Sequence, residues 1–125
     1  MLHEEITGKI IGCSMVIHSE IGPGFMESVY HKCLEIEFRL GNIAFESEKE
    51  FPIYYRNEKV GARRADFFVN KLILVEIKAI TNLEDVHLAQ ALNYLEAFKM
   101  EIGLLINFGS KSLQFKRLYN NHLIK

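Results

Sequence analysis

The sequence predicts one α/β domain over residues 1–125, built as a mixed β-sheet with helices packed against it. Three observations carry that expectation. Two stretches of helical period open the chain. Strand-like runs joined by turn residues follow. A third helical stretch then leads to another short apolar run, and hairpins followed by a helical crossover imply a mixed sheet covered by helices.

Ile6, Ile10, Cys13, Ile17 and Ile21 recur at spacings of 4, 3, 4 and 4, which places them on one face of a first helix. Gly22-Pro23-Gly24 ends it. A second helix runs over about 25–40, with Val29, Cys33, Ile36 and Leu40 as its expected core face and Gly41-Asn42 as its stop. Ala44 to Tyr55 reads as a strand in which Phe51, Ile53 and Tyr55 alternate. Arg56 to Lys59 makes a polar turn, Ala65 to Val69 a second strand, and Asn70-Lys71 a tight turn. Leu72 to Val75 is the continuous apolar run of a strand buried on both faces, and it passes directly into Glu76-Ile77-Lys78. A third helix spans about 83–99, with Val86, Ala89, Leu92 or Asn93, and Leu95-Glu96 on its turns. Ile102 to Ile106 is a short buried strand, and Leu113 to Tyr119, with Leu113, Phe115 and Leu118 inward, is an edge strand.

Composition narrows the functional classes. With 49% hydrophobic and 25% charged residues, the 125-residue chain can form a core without disulfides or a structural metal, which excludes disorder and coiled coil. No apolar run approaches the roughly 18 residues of a membrane span, and Glu4 and Glu5 stand where a signal peptide is basic. The expected location is cytoplasmic, with no membrane partner. Cys13 and Cys33 fall on helix core faces and read as buried thiols. The net charge is −1, but residues 1–60 carry −4 and residues 61–125 carry +3, which permits a basic face. Gly22-x-Gly24 follows a helix and so fails as a dinucleotide loop. The five histidines show no zinc spacing.

Three charged residues do not fit a core. Asp66 interrupts an apolar strand, while Glu76 and Lys78, two apart at the end of the most apolar strand, project from one face. Burying such groups costs several kcal/mol unless they are paired or bind a metal. A strand-end ion pair of Lys78 with Glu76 or Asp66 would satisfy them. Converging carboxylates would instead form a hard, oxygen-rich site for Mg2+ or Mn2+, beside which a lysine can position an attacking water and offset charge on a phosphorane-like transition state. Register decides whether Asp66 and Glu76 converge. A two-residue turn at Asn70-Lys71 would pair Asp66 with Val75 and put Asp66 and Glu76 on opposite faces; a shared site needs a longer loop, a bulge or splayed strands.

Asp66 followed by Glu76-Ile77-Lys78 resembles the Asp…(Asp/Glu)-x-Lys signature of the PD-(D/E)XK nuclease superfamily, with Ala65 standing where its name has proline. More narrowly, Gly24-Phe25-Met26-Glu27-Ser28-Val29-Tyr30 resembles the motif that names the GxxExxY family. The similarity extends to Arg64-Ala65-Asp66, Val75 to Ala79, His87 to Tyr94 and Gly103 to Gly109. It implies a restriction-endonuclease-like fold and a Mg2+- or Mn2+-dependent nuclease acting on DNA rather than RNA. Asp66, Glu76 and the Ile77 carbonyl would be metal ligands, with Glu27 approaching from the second helix, and Lys78 would be the catalytic lysine. Gln90 and Tyr94 resemble the Gln-x-x-x-Tyr element of RecB-like nucleases, and Gln90 would join the catalytic set.

Tyr30 would either bond into the site or serve as a core aromatic. Arg63, Arg64 and Lys71 are candidate phosphate contacts. So compact a core lacks an obvious sequence-reading element, so specificity would come from a homodimer, a protein partner or nucleic-acid structure. The alternative is a non-catalytic binding or assembly module that retains the nuclease fold.

Overall fold

The computed structural model describes residues 3–123. Its elements are α1 (Glu4–Ile21), α2 (Glu27–Leu40), β1 (Phe45–Tyr55), β2 (Glu58–Val69), β3 (Ile73–Lys78), α3 (Asp85–Ala97), β4 (Ile102–Asn107) and β5 (Gln114–Tyr119). The strands lie in chain order in one sheet, with β3 and β4 parallel and the other neighbours antiparallel. α3 supplies the crossover that a parallel pair requires. No helix among the described residues is long and apolar enough to cross a membrane.

The period of two along β3 divides the core. Ile73, Val75 and Ile77 pack with Ile10 and Ile17 of α1 and Leu34 and Phe38 of α2. Leu74 packs with Ala91 and Leu95 of α3 on the other face. Both faces of β3 are therefore covered, which is why its sequence is an unbroken apolar run. Gly103 shows how closely α3 lies on β4, since a Cβ there would sit 3.2 Å from Leu95 Cδ1.

α1 buries Ile10 and Ile17 of its expected face and keeps Ile6, Cys13 and Ile21 half-buried beside them, with Thr7, Ile11 and Ser14 completing the buried stripe; α2 departs further. Its buried residues are Tyr30, Leu34 and Phe38, while Ile36 is 50% and Leu40 75% exposed. Both stripes have helical spacing, and the one containing two large aromatic rings buries more apolar area. Cys13 and Cys33 are free and only half-buried, at the rim of this core rather than inside it. α3 likewise turns Leu88, Ala91, Leu92 and Leu95 inward and leaves Val86 and Ala89 exposed. In urea denaturation Leu34→Ala is expected to cost at least about 2 kcal/mol. Ile36→Ser should stay within about 0.5 kcal/mol of the parent. The reverse ranking would restore the other face.

Two strand boundaries also differ from expectation. β2 begins at Glu58 rather than Ala65, directly after a two-residue Arg56-Asn57 turn with φ of 49° and 68°. Its inward positions before Ala65 are Gly61 and Arg63, so the strand carries no apolar alternation there. β3 begins at Ile73, because Leu72 belongs to the preceding turn. Asn70 and Lys71 both have φ of 54°, and the Leu72 N–H closes the turn on the Val69 carbonyl at 3.0 Å. Val69 nevertheless pairs with Ile73, leaving Leu72 as one extra residue.

Candidate active site

That extra residue sets the register of the site. Val69 pairs with Ile73, Phe68 with Leu74 and Phe67 with Val75, so the next step along brings Asp66 opposite Glu76. Beyond this point the strands part. Asp66 Oδ2 accepts the Ile77 N–H at 2.7 Å, a donor that a continued ladder would have given to the β2 main chain. β2 also rotates about Asp66: Phe67 lies in the core under α1 and α2, whereas Ala65 lies in the core under α3. Across from this rotation, Glu48 of β1 has a φ of 53°.

Cavities flank this junction on both sides of the sheet end. On the α2 side Asp66 lines an open cleft of 360 Å3 with Glu27, Ser28, His31, Lys32, Glu35 and Glu48. On the α3 side Arg63, Glu76, Lys78, Gln90 and Tyr94 line a crevice of only 10 Å3. The His31 ring stacks on Phe67 with centroids 4.2 Å apart and forms part of the cleft wall.

Glu76 is the most constrained carboxyl of the site. It is 6% exposed; its Oε2 accepts from Arg63 Nη2 at 3.4 Å, and its Oε1 is buried with no hydrogen-bond partner. Burial first, then the charge of the neighbouring Asp66 carboxylate, push its carboxyl up from 4.5 to about 8. Arg63 and Lys78 pull the other way. Glu27, in the first turn of α2, has a carboxyl raised by partial burial and then by Asp66, and lowered by Lys78, Arg63 and His31. Lys78 therefore lies within electrostatic reach of both carboxylates.

Several supports hold these groups. The Tyr30 hydroxyl donates to the Gly22 carbonyl at 2.7 Å and accepts from the Phe25 N–H at 3.2 Å, and its ring stacks on Phe108. It is a core aromatic whose polar end ties down the loop leading to Glu27. Lys78 is anchored through its carbonyl, which accepts the Phe108 N–H at 2.9 Å. The fully buried Asn107 accepts from the Ile80 and Gly109 N–H groups and donates to the Ile80 carbonyl and Gln114 Oε1, locking the segment after Lys78. His87 Nδ1 accepts the Glu84 N–H at the start of α3.

The expected site residues fall into two groups. Glu27 and Asp66 line the cleft on the α2 side and Glu76, Lys78, Gln90 and Tyr94 the crevice on the α3 side, the two being joined by the bond of Asp66 to the Ile77 N–H and by its charge on Glu76. Arg64 is exposed on β2 opposite Glu50, and Lys71 lies in the turn at the other end of β3. Arg63, read from sequence as a phosphate contact, turns its guanidinium onto Glu76 and over the Tyr94 ring, 4.4 Å from the centroid. Sequence reasoning missed that pairing and the Asn107 network. The one available signal was a polar residue ending the apolar run Ile102–Ile106.

Among the described residues no three His, Cys, Asp or Glu side chains stand together as a ready metal cluster. The donor chemistry nonetheless fits a hard divalent cation. The Asp66 and Glu76 carboxyl groups are close enough to couple, and one buried Glu76 oxygen lacks any partner, a donor set that a cation would satisfy while drawing off the carboxyl proton. Comparison with known proteins adds to this geometry. A family model of the PD-(D/E)XK nuclease superfamily matches residues 4–118. The crystal structure of SSO0001 is similar with a TM-score of 0.51 and 25% identity, over 74% of this chain and 48% of that one. The chain thus spans about half the length of that protein. Comparison with curated proteins finds no match. A family match running from the start of α1 into β5, on a sheet whose β2–β3 ladder ends where Asp66 and Glu76 come together, leaves one conclusion: the chain belongs to the PD-(D/E)XK nuclease superfamily.

Proposed function

We propose that this protein is a metal-dependent nuclease of the GxxExxY type that hydrolyses phosphodiester bonds in DNA rather than RNA. The observation that carries the reading is that Asp66 and Glu76 come together where the β2–β3 ladder ends, with Asp66 bonded to the Ile77 N–H and its charge acting on Glu76, beside Lys78. A fold with no use for three such charges gains stability by replacing them with apolar residues.

Asp66, Glu76 and the Ile77 carbonyl would hold Mg2+ or Mn2+, with Glu27 flanking them. Such a cation supplies Lewis-acid stabilisation of charge developing on the phosphoryl oxygens. Lys78 orients the attacking water and offsets negative charge in the transition state. Gln90, exposed on α3, and the half-buried Tyr94 line the same crevice as Lys78. Tyr30 and Asn107 fix the two loops that frame the site. Arg64 remains a candidate phosphate contact at the rim.

The test incubates the protein with labelled single-stranded DNA, duplex DNA and RNA in Mg2+, Mn2+ or EDTA, beside Glu76→Ala and Lys78→Ala. Cleavage of DNA that needs metal and disappears in both variants is the expected result. A folded protein that cuts none of these substrates and is not thermally stabilised by Mn2+ would instead be a binding or assembly module on the same fold.

A further inference from the structure

We propose that Arg63 is a built-in competitor for the divalent cation, holding Glu76 in the metal-free protein and leaving it for a phosphate oxygen when the cation takes the carboxylate. This rests on the metal-site reading above and concerns what occupies the site before metal arrives.

The pairing of Arg63 with Glu76 lacks the features of a permanent structural bridge. Arg63 Nη2 stands 3.4 Å from Glu76 Oε2, against roughly 2.7–2.9 Å for a strong charge-assisted bond. Only one of the two carboxylate oxygens is engaged. Glu76 Oε1 and Arg63 Nε are both buried and both without a partner, so each ion leaves the other incompletely satisfied. A buried bridge kept for stability alone closes such positions, because an unpaired buried polar atom costs about 1–3 kcal/mol.

Space and charge point the same way. With Arg63 in place the crevice beside Glu76 measures 10 Å3, about the volume of one water probe, so on the α3 side the guanidinium fills the space in front of the carboxylate that a cation would take. A divalent ion on Glu76 would stand directly beside the Arg63 guanidinium that now holds the same carboxylate, and like-charge repulsion at that distance favours the arginine's withdrawal. The Tyr94 ring offers the guanidinium a second hold, at 4.4 Å, that does not depend on Glu76. An arginine kept at the wall by stacking presents a planar fork of N–H donors suited to a phosphodiester oxyanion, and its orphaned Nε gains a partner there.

The experiment is calorimetric titration of the full chain with Mn2+, comparing the parent, Arg63→Gln and Glu76→Ala. Arg63→Gln should bind Mn2+ roughly tenfold more tightly, equivalent to about 1.4 kcal/mol, and Glu76→Ala should lose binding. A second readout needs no variant to fold: the Arg63 Nε–H resonance of the parent protein should shift when Mg2+ is added. Parent protein that binds Mn2+ while Arg63→Gln binds no more tightly, or an Nε–H resonance that ignores saturating Mg2+, overturns the competitor role and leaves the metal site standing. Parent protein that binds no metal overturns both.

Discussion

In chelator at pH 8.5, Glu76→Gln will be more stable than the parent protein, and the difference will vanish near pH 5. The sign follows from the raised carboxyl. In the unfolded chain Glu76 holds its proton only below about 4.5, whereas in the fold it does so up to about 8. Folding therefore takes up a proton between those values. The stability that protonated Glu76 contributes is fully present below the unfolded value and is lost as pH rises through the folded one. A glutamine stays neutral throughout and does not carry that slope. At about 1.4 kcal/mol per unit, the window spans on the order of 4 kcal/mol. For a domain of this size that corresponds to a Tm difference of roughly 10 °C or more. Calorimetric melts of both proteins in EDTA from pH 4.5 to 9 measure it. Parallel curves would mean that the buried carboxylate is not under strain, and the strongest physical sign of a site would go with it.

Such strain is also what made the site legible. Asp66, Glu76 and Lys78 violate the apolar pattern around them, and charges in otherwise buried strands stand out in a sequence. The layers were readable for a related reason: α1 and β3 each have one dominant pattern, and each turns it to the core. What stayed hidden lacks a pattern of its own. α2 carries two stripes of equal period, and only packing against Phe67 and Ile43 selects the one with Tyr30 and Phe38. The first half of β2 faces inward with Gly61 and Arg63, so no alternation announces it.

Register was decided by a single residue. Asn70-Lys71 does form the tight turn its composition suggests, yet Leu72 drops out of the ladder, and Asp66 moves from opposite Val75 to opposite Glu76. No local property of Leu72 signals this. The gain lies four residues away, where the strand ends part and the Asp66 side chain replaces a lost main-chain acceptor. The partners of buried charges were also out of reach. Lys78 was a natural candidate for Glu76, but the ion pair formed is with Arg63, thirteen positions away on β2 and stacked on a tyrosine of α3.

The two tasks assigned to Asp66 can be separated by substitution. Its Oδ2 holds the Ile77 N–H where the strands part, and its charge faces Glu76 across the site. Asp66→Asn keeps an acceptor for the Ile77 N–H and removes the charge. Asp66→Ala removes both and leaves a donor of a buried residue unpaired. Both variants should lose metal-dependent DNA cleavage by roughly 10^3-fold or more, because an electrostatic contribution to a phosphoryl transition state has gone. Only Asp66→Ala should also lose stability, by about 1–3 kcal/mol in urea denaturation at neutral pH. Asp66→Asn should hold or gain, since the charge that most disfavours ionised Glu76 after burial is absent. Equal destabilisation of both variants would assign the strand junction to the charge rather than the hydrogen bond. Cleavage surviving in Asp66→Asn would remove Asp66 from the catalytic machinery and leave its hydrogen bond to β3 as its whole purpose.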